Sequence, residues 1–176
     1  LREQGARAWA LAAFRELDDA ILQLRFNEPE VGLIVVSTKG DGSKVKAHND
    51  ALAALVADDW FANEIQWHMA GVFKRLDLTA RSLFATIEPG SCFVGSLFEL
   101  AVAADRSYML EGEFEDGDAG EATIGFSSLN FGPLPMSNGL TRLQTRFLAR
   151  PEHVDALAKR QGETFTAEDA AELGLV

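Results

Sequence analysis

Cysteine is nearly absent from this chain, since Cys92 is the one thiol among 176 residues. A single cysteine excludes an internal disulfide, so the sequence gives no sign of an oxidising compartment and predicts a cytoplasmic protein. Histidine is also scarce, and His48, His68 and His153 are scattered along the sequence. Three isolated histidines do not form the spaced cluster that a metal site needs, so no metal is expected.

Positive charge is in short supply as well. The chain has 16 Lys and Arg residues against 27 Asp and Glu residues, which gives a formal net charge of −11. Nucleic acids and anionic membranes are bound through basic surface that neutralises phosphate groups. Neither is therefore expected as the main partner of this chain.

Long apolar runs are missing too. No stretch approaches the roughly 20 apolar residues that span a bilayer, and residues 1–3 do not begin a signal peptide. The abrupt start predicts that the chain is a fragment of a longer protein.

Hydrophobic residues nevertheless make up 47% of the sequence, enough for one domain, over residues 1–176, with a substantial core. Apolar spacing of three and four residues predicts helices, and short apolar runs that end at turn residues predict strands. The first predicted strand is rich in β-branched residues, which is typical of a parallel strand covered on both faces. Helices alternating with buried strands indicate a layered α/β fold. The predicted helices are 7–26, 60–78, 139–148, 151–160 and 167–173, and the predicted strands are 31–37, 81–87, 107–110 and 122–126.

A polar segment, 38–48, follows the first predicted strand and is interpreted as a loop. Asn49 or Asp50 is expected to cap a short helix after it. Ligands of open α/β sheets usually bind where strands end, so Lys44 and Lys46 are candidate contacts for a phosphate group. The alternative is that both lysines are solvated surface charges.

The segment 87–105 predicts a strand, a turn and a helix. Ser96 is expected to cap the helix, whose first amide groups are free to hold an oxyanion or a phosphate. Glu99 lies one turn further on, where a carboxylate could act as a general acid or base. The spacing of Ser96 and Glu99 also matches a capping box, in which Glu99 only accepts a hydrogen bond from the Ser96 backbone. Both interpretations stay open.

The segment 111–121 is acidic and glycine-rich, which favours a solvated loop. Asp116 and Asp118 flank a glycine within it, but this spacing alone is a weak indication of a calcium site.

Four segments carry a family resemblance. They are the apolar strand 33–38, the glycine-containing segment 90–105, the segment 130–143 that begins Asn-Phe-Gly-Pro, and the closing segment 167–176. Together they resemble the crotonase, or enoyl-CoA hydratase/isomerase, superfamily of acyl-CoA enzymes. The resemblance implies an α/β superhelix of stacked ββα turns, of which this chain is an incomplete copy without the first strands and the terminal helices. It also implies an acyl-CoA thioester as ligand, no separate cofactor because the substrate carries CoA, and a homo-oligomer.

Three further segments, 75–85, 87–93 and 103–110, resemble more specifically the C-terminal half of the benzoyl-CoA-dihydrodiol lyases. That family implies a ring-cleaving lyase of aromatic compound catabolism, which acts on a dihydrodiol- or epoxide-type benzoyl-CoA thioester and releases formate. The remaining half of the same enzyme is then an expected partner.

The resemblance also implies site residues. Backbone amides near Ala47 and Ser96 would donate to the thioester oxygen, and Glu99 would be the acid or base. A second glutamate of the family falls near Ser128, which can orient a water molecule or cap a loop but cannot act as a carboxylate. A degenerate, non-catalytic copy with a structural or interface role is therefore the alternative. Serine peptidases of the Clp type share the fold, but Val94 stands where their nucleophile would be.

Overall fold

The computed structural model describes residues 3–114 and 120–176, so the predicted acidic turn around Asp116 and Asp118 lies outside the described residues. The α-helices are α1 (Trp9–Asn27), α2 (Gly42–Leu55), α3 (Trp60–Asp77), α4 (Phe98–Ala103), α5 (Arg142–Arg146), α6 (Pro151–Ala158) and α7 (Ala167–Glu172). The strands are β1 (Leu33–Val36), β2 (Ser82–Ile87), β3 (Arg106–Met109), β4 (Ile124–Gly125) and β5 (Thr164–Phe165). Helices and parallel strands alternate, which confirms the α/β prediction.

A three-stranded parallel sheet, in the order β1-β2-β3, organises the first two thirds of the chain. Its inner face, with Leu83, Ala85 and Ile87 of β2, joins a hydrophobic core that α1, α3 and α4 also line. Phe14 of α1 and Phe73 of α3 meet there edge to face, with ring centroids 5.2 Å apart. Burial of these apolar side chains is the main stabilisation of the sheet and its helices.

The outer face of the sheet is open. Alternate residues of β1 point outward, and Leu33 and Val35 are 48% and 57% exposed. Ile34 and Val36 pack against the core, so the described residues cover one face of this strand and not the second face that the prediction also expects to be covered. A run of β-branched residues indicates that a strand prefers apolar surroundings, but it does not indicate which part of the protein provides them.

A second, smaller sheet pairs β4 with β5 in antiparallel orientation, and a single bridge joins Val94 to Gly125. Phe126 follows β4 and packs against three other rings. Its partners are Phe98 at 5.6 Å, Phe131 at 5.4 Å and Phe165 at 5.2 Å between centroids. This aromatic cluster connects α4 to the C-terminal part of the chain.

Helix α2 differs most from the sequence prediction. It begins at Gly42, where the carboxylate of Asp41 accepts a hydrogen bond of 2.9 Å from the Ser43 amide and so acts as the N-cap. The hydrogen bond from the Ser43 hydroxyl, together with that from the Ser43 amide, holds the pKa of the Asp41 carboxyl below its usual value. The segment 38–48 is therefore loop only before Gly42, and the prediction of a cap at Asn49 or Asp50 is wrong. Asn49 instead lies on the buried side of the helix.

The C-terminal helices are shorter than predicted. Helix α5 covers five residues of the predicted 139–148 because Thr141 caps it through a capping box with Gln144. Thr166 caps α7 as predicted, with its side chain accepting from the Asp169 amide. Across the described ranges, no helix combines the length and the apolar character needed to cross a membrane.

Candidate functional site

The turn at Gly95 opens the predicted site. Gly95 has a φ of 54°, a left-handed conformation that disfavours side chains, and begins a 3-10 helix (Gly95–Leu97) that continues into α4. A Cβ atom at this position would overlap Asn49 Oδ1 and would lie 2.6 Å from Ser127 Oγ. The backbone therefore approaches α2 as closely as only a glycine permits.

Asn49 accepts the hydrogen bond of the Ser96 amide, the predicted oxyanion donor. The Ser96 amide donates to Asn49 Oδ1 at 2.6 Å, and Asn49 Nδ2 donates to Ser96 Oγ at 3.0 Å. Ser127 Oγ donates to the same Asn49 oxygen at 3.2 Å. All three residues are at most 1% exposed. The amide of Ser96 lies at the predicted turn, but a side chain of the protein already satisfies it.

Ala47, the other predicted donor, lies in the second turn of α2 rather than in a loop. A helix leaves only the amides of its first turn unbonded, so the Ala47 amide is directed along the helix axis toward the preceding turn. The structure therefore does not bring Ala47 and Ser96 together as a pair of free amides.

Lys44 and Lys46 also lie on α2. Lys46 Nζ forms an ion pair of 2.6 Å with Asp50 one turn later, and Lys44 is exposed. Lys46 borders a cavity of about 350 Å³ between the start of α2 and the small sheet. That cavity is also lined by Val94 and Phe126. One of the two lysines is thus placed beside a cavity.

Glu99 lies in a buried ionic cluster. Its carboxylate accepts from Asn130 Nδ2 at 2.7 Å and from Arg142 Nη1 at 2.8 Å, and the side chain is 1% exposed. Arg142 also forms a two-pronged ion pair with Asp77, at 2.9 and 2.7 Å. We call Asp77, Glu99, Asn130 and Arg142 the Glu99 cluster. It joins α3, α4, α5 and the 3-10 helix Ser128–Phe131.

The predicted capping box between Ser96 and Glu99 is wrong. The Ser96 side chain bonds to Asn49, and the carboxylate of Glu99 turns toward Arg142 instead. The physical reason is the 3-10 turn before α4, which changes the spacing of a regular α-helical cap. As a general acid or base, Glu99 would have to leave the side chains that hold both of its oxygens.

Burial raises the pKa of the Glu99 carboxyl above its ordinary value, while the charge of Arg142 and the hydrogen bond from Asn130 only partly offset this effect. Two carboxylates, Asp77 and Glu99, face the single guanidinium of Arg142. The ionised cluster therefore carries one negative charge in excess inside the protein, which is a costly arrangement.

Glu99→Gln tests this electrostatic description. The folded protein keeps a proton on Glu99 to higher pH than the unfolded chain does, so the carboxyl's contribution to stability is fully present below pH 4.5, the ordinary pKa, and falls as the pH rises above it. We expect the stability of the wild type relative to Glu99→Gln to decline between pH 4.5 and 7. Urea unfolding of both proteins at several pH values measures the difference, and a relative stability that increases over this range would contradict the raised pKa.

Ser128 is the first residue of a 3-10 helix and is partly exposed. The residue that caps this helix is Ser127, whose Oγ accepts from the Leu129 amide at 3.3 Å. Asn130 Oδ1 accepts in turn from the Ser127 amide at 2.9 Å. The expected capping serine is thus one residue earlier than predicted.

Five polar residues of the site were not singled out from the sequence as site residues: Asn49, Asp77, Ser127, Asn130 and Arg142. A signal was present for Asn49, which follows the buried Val45 by four residues on one side of α2. Asn130 and Arg142 lie in a segment that carries the family resemblance, but nothing in it indicates which carboxylates they contact. Asp77 is the last residue of α3, and no local pattern marks it as a partner of Arg142.

Within the described parts of the chain, no three His, Cys, Asp or Glu side chains are placed to hold a metal ion. No protein-family model matches the sequence.

Solved structures resemble this one over nearly the whole chain. An enoyl-CoA hydratase from Geobacillus kaustophilus superposes with a TM-score of 0.57 at 22% identity, over 93% of this chain and 56% of the other. An enoyl-CoA hydratase/isomerase from Cupriavidus metallidurans gives a TM-score of 0.58 at 16% identity, with the same coverages. AtuE from Pseudomonas aeruginosa gives 0.57 at 20% identity, over 99% of this chain and 62% of its own. The chain has the crotonase fold.

The crotonase fold of this chain is thus a partial copy, as predicted. In sequence, the chain is similar to benzoyl-CoA-dihydrodiol lyase of Aromatoleum evansii, with 45% identity over 178 aligned positions. The alignment covers 100% of this chain and 31% of the lyase, so the chain spans about a third of the curated relative that it matches. The predicted resemblance to the benzoyl-CoA-dihydrodiol lyases is confirmed, and the predicted resemblance to the crotonase superfamily is confirmed for the fold. The match to the C-terminal half of the lyase stays a prediction.

Proposed function

We propose that this chain is a non-catalytic part, with the crotonase fold, of a lyase that cleaves the ring of a dihydrodiol- or epoxide-type benzoyl-CoA thioester. Its role is to supply core and interface to the part of the polypeptide that carries out the reaction. The substrate and the reaction are taken from the lyase of A. evansii, to which the chain is 45% identical.

The observation that carries the proposal is the hydrogen bond of 2.6 Å from the Ser96 amide to Asn49 Oδ1. Oxyanion stabilisation requires donors aimed at the point where the thioester oxygen gains charge, in a position the oxygen can reach. The Ser96 amide donates instead to the side chain of Asn49, which is 1% exposed and has three hydrogen bonds. An acceptor oxygen from the protein also repels an incoming oxyanion.

The environment of Glu99 supports the same proposal. A general acid or base must reach the substrate, whereas both oxygens of Glu99 are held by Asn130 and Arg142 in the interior. A buried ion pair of this kind organises packing, and its loss affects stability first.

Turnover of the full-length lyase with Glu99→Gln tests the proposal. The substitution keeps the shape of the side chain but places an amide donor beside Asn130 or Arg142, so we expect a loss of about 1–3 kcal/mol in stability. The turnover number per folded enzyme is expected to stay within twofold of the wild type. A loss of turnover by two orders of magnitude or more at unchanged melting temperature would instead assign Glu99 to catalysis.

A second candidate is oxyanion catalysis by the Ser96 amide after rotation of Asn49. It is favoured by the cavity of about 350 Å³ that Val94, Phe126 and Lys46 line. Val94 precedes Ser96 by two residues, so this cavity lies near the Ser96 amide. The two candidates predict different numbers of benzoyl-CoA binding sites per polypeptide. Isothermal titration of the full-length lyase with benzoyl-CoA is expected to give one site per polypeptide, and two sites would favour the catalytic candidate.

A further inference from the structure

The outer face of the parallel sheet is an apolar surface built by all three strands. In register, Val35 of β1 lies beside Phe84 of β2, and Thr86 of β2 lies beside Tyr108 of β3. We call Leu33, Val35, Phe84, Tyr108 and Leu110 the outer sheet face. The rings of Phe84 and Tyr108 contact each other edge to face with centroids 5.8 Å apart, which orders the middle of this surface.

The apolar side chains of the outer sheet face are highly exposed to solvent. Val35 is 57% exposed, Tyr108 54% and Leu33 48%, and Leu110 continues the patch at 37%. A groove of about 250 Å³ runs along β3 between Thr86, Tyr108, Leu110 and Phe114. Purely parallel sheets occur almost only with both faces covered, and contiguous apolar patches mark sites of association.

We infer that the outer sheet face is covered by polypeptide of the same lyase that lies outside this chain, through an apolar helix or strand layer that fills the groove along β3. The inference rests on the proposed function only in taking the chain as part of a longer lyase. The chain spans 31% of the lyase of A. evansii and 56–62% of the solved crotonase folds, so relatives carry enough additional chain to form such a layer.

Charge disfavours a second copy of this chain as the occupant. Each copy of the chain carries a net charge of −11, so two copies repel each other before apolar contacts form. Arg106 lies on the exposed side of β3 beside Phe84, so a partner segment with an acidic residue at that edge is expected.

Thiol labelling of the full-length lyase tests the inference. Val35→Cys and Tyr108→Cys each place a thiol on the outer sheet face, and Asp155→Cys places one on the exposed, polar side of α6 as a control. The native Cys92 is buried. Labelling by a maleimide is followed over time and assigned to each position by peptide mass spectrometry. Each variant is also labelled in urea, which gives its own unprotected rate.

We expect the thiols at positions 35 and 108 to react about 100-fold more slowly than in urea, since the covering layer must first open. Rates within tenfold of the unfolded rate at both positions, as expected for Asp155→Cys, would overturn the inference. Protection that disappears on dilution would also overturn it, in favour of a second copy. None of these outcomes depends on turnover, so the inference can fail independently of the proposed non-catalytic role.

Discussion

Arg142→Met is expected to lower the free energy of unfolding by about 3–5 kcal/mol. The substitution leaves two buried carboxylates, Asp77 and Glu99, without the guanidinium that bonds to both. It also removes the contact of Arg142 with the ring of Phe73, whose centroid is 4.7 Å from the guanidinium carbon. Urea unfolding followed by circular dichroism measures the loss.

Arg160→Met is the matched control. Arg160 also pairs with a carboxylate, Glu163, at 2.8 Å and also lies over a ring, Phe165, at 4.5 Å, but its side chain is 40% exposed. We expect this substitution to cost at most about 1 kcal/mol, because exposed ion pairs contribute little. Equal losses for the two variants would show that burial of the Glu99 cluster is not the cause.

The same cluster allows a test of coupling. In a Glu99→Gln background, Arg142→Met leaves only the carboxylate of Asp77 without its guanidinium partner, whereas in the wild type it leaves the carboxylates of both Asp77 and Glu99. We therefore expect the cost of Arg142→Met to be smaller in that background than in the wild type, by about 0.5–3 kcal/mol.

Gly95→Ala is expected to cost about 2–5 kcal/mol, the sum of two effects. A side chain at a φ of 54° strains the backbone by about 1–2 kcal/mol, and forcing a methyl group into a packed interior costs about 1–3 kcal/mol more. The methyl group would collide with Asn49 and Ser127, so the bonds around the Ser96 amide must also rearrange. The measurement is again urea unfolding.

Gly5→Ala separates these two effects. Gly5 has a φ of 52°, but no atom lies within 4 Å of the position that its Cβ would take. This variant is expected to lose only the backbone part. If Gly95→Ala costs no more than Gly5→Ala, the close approach of α2 to the turn is not important for stability.

Much of the fold follows from local patterns. The spacing of apolar residues predicts α1 and α3 within two residues of their observed bounds, and the run before Pro89 predicts β2. These elements depend on signals that lie within one segment. The start of α2 was missed because Asp41 and Gly42 also fit a turn, and only the observed hydrogen bond to the Ser43 amide distinguishes a cap from a turn.

The site was predictable only in part. Ser96 and Glu99 are located where the resemblance places them, at the turn into α4. Their partners come from distant segments, since Asn49 is 47 residues before Ser96 and Arg142 is 43 residues after Glu99. No local pattern states which buried polar groups meet across such separations. The chemical role of Ser96 and Glu99 therefore follows from these long-range contacts and not from the sequence near them.

The carboxamide of Asn49 ties together three segments that are far apart in the sequence: α2, the turn at Gly95 and the loop at Ser127, 78 residues from Asn49. The Ser96 amide can exchange its hydrogen only when these segments separate, because its acceptor is buried among them. Its exchange rate in deuterated solvent would thus report the free energy of one cooperative opening. The exchange of a single amide hydrogen therefore measures how stably these three segments are held together.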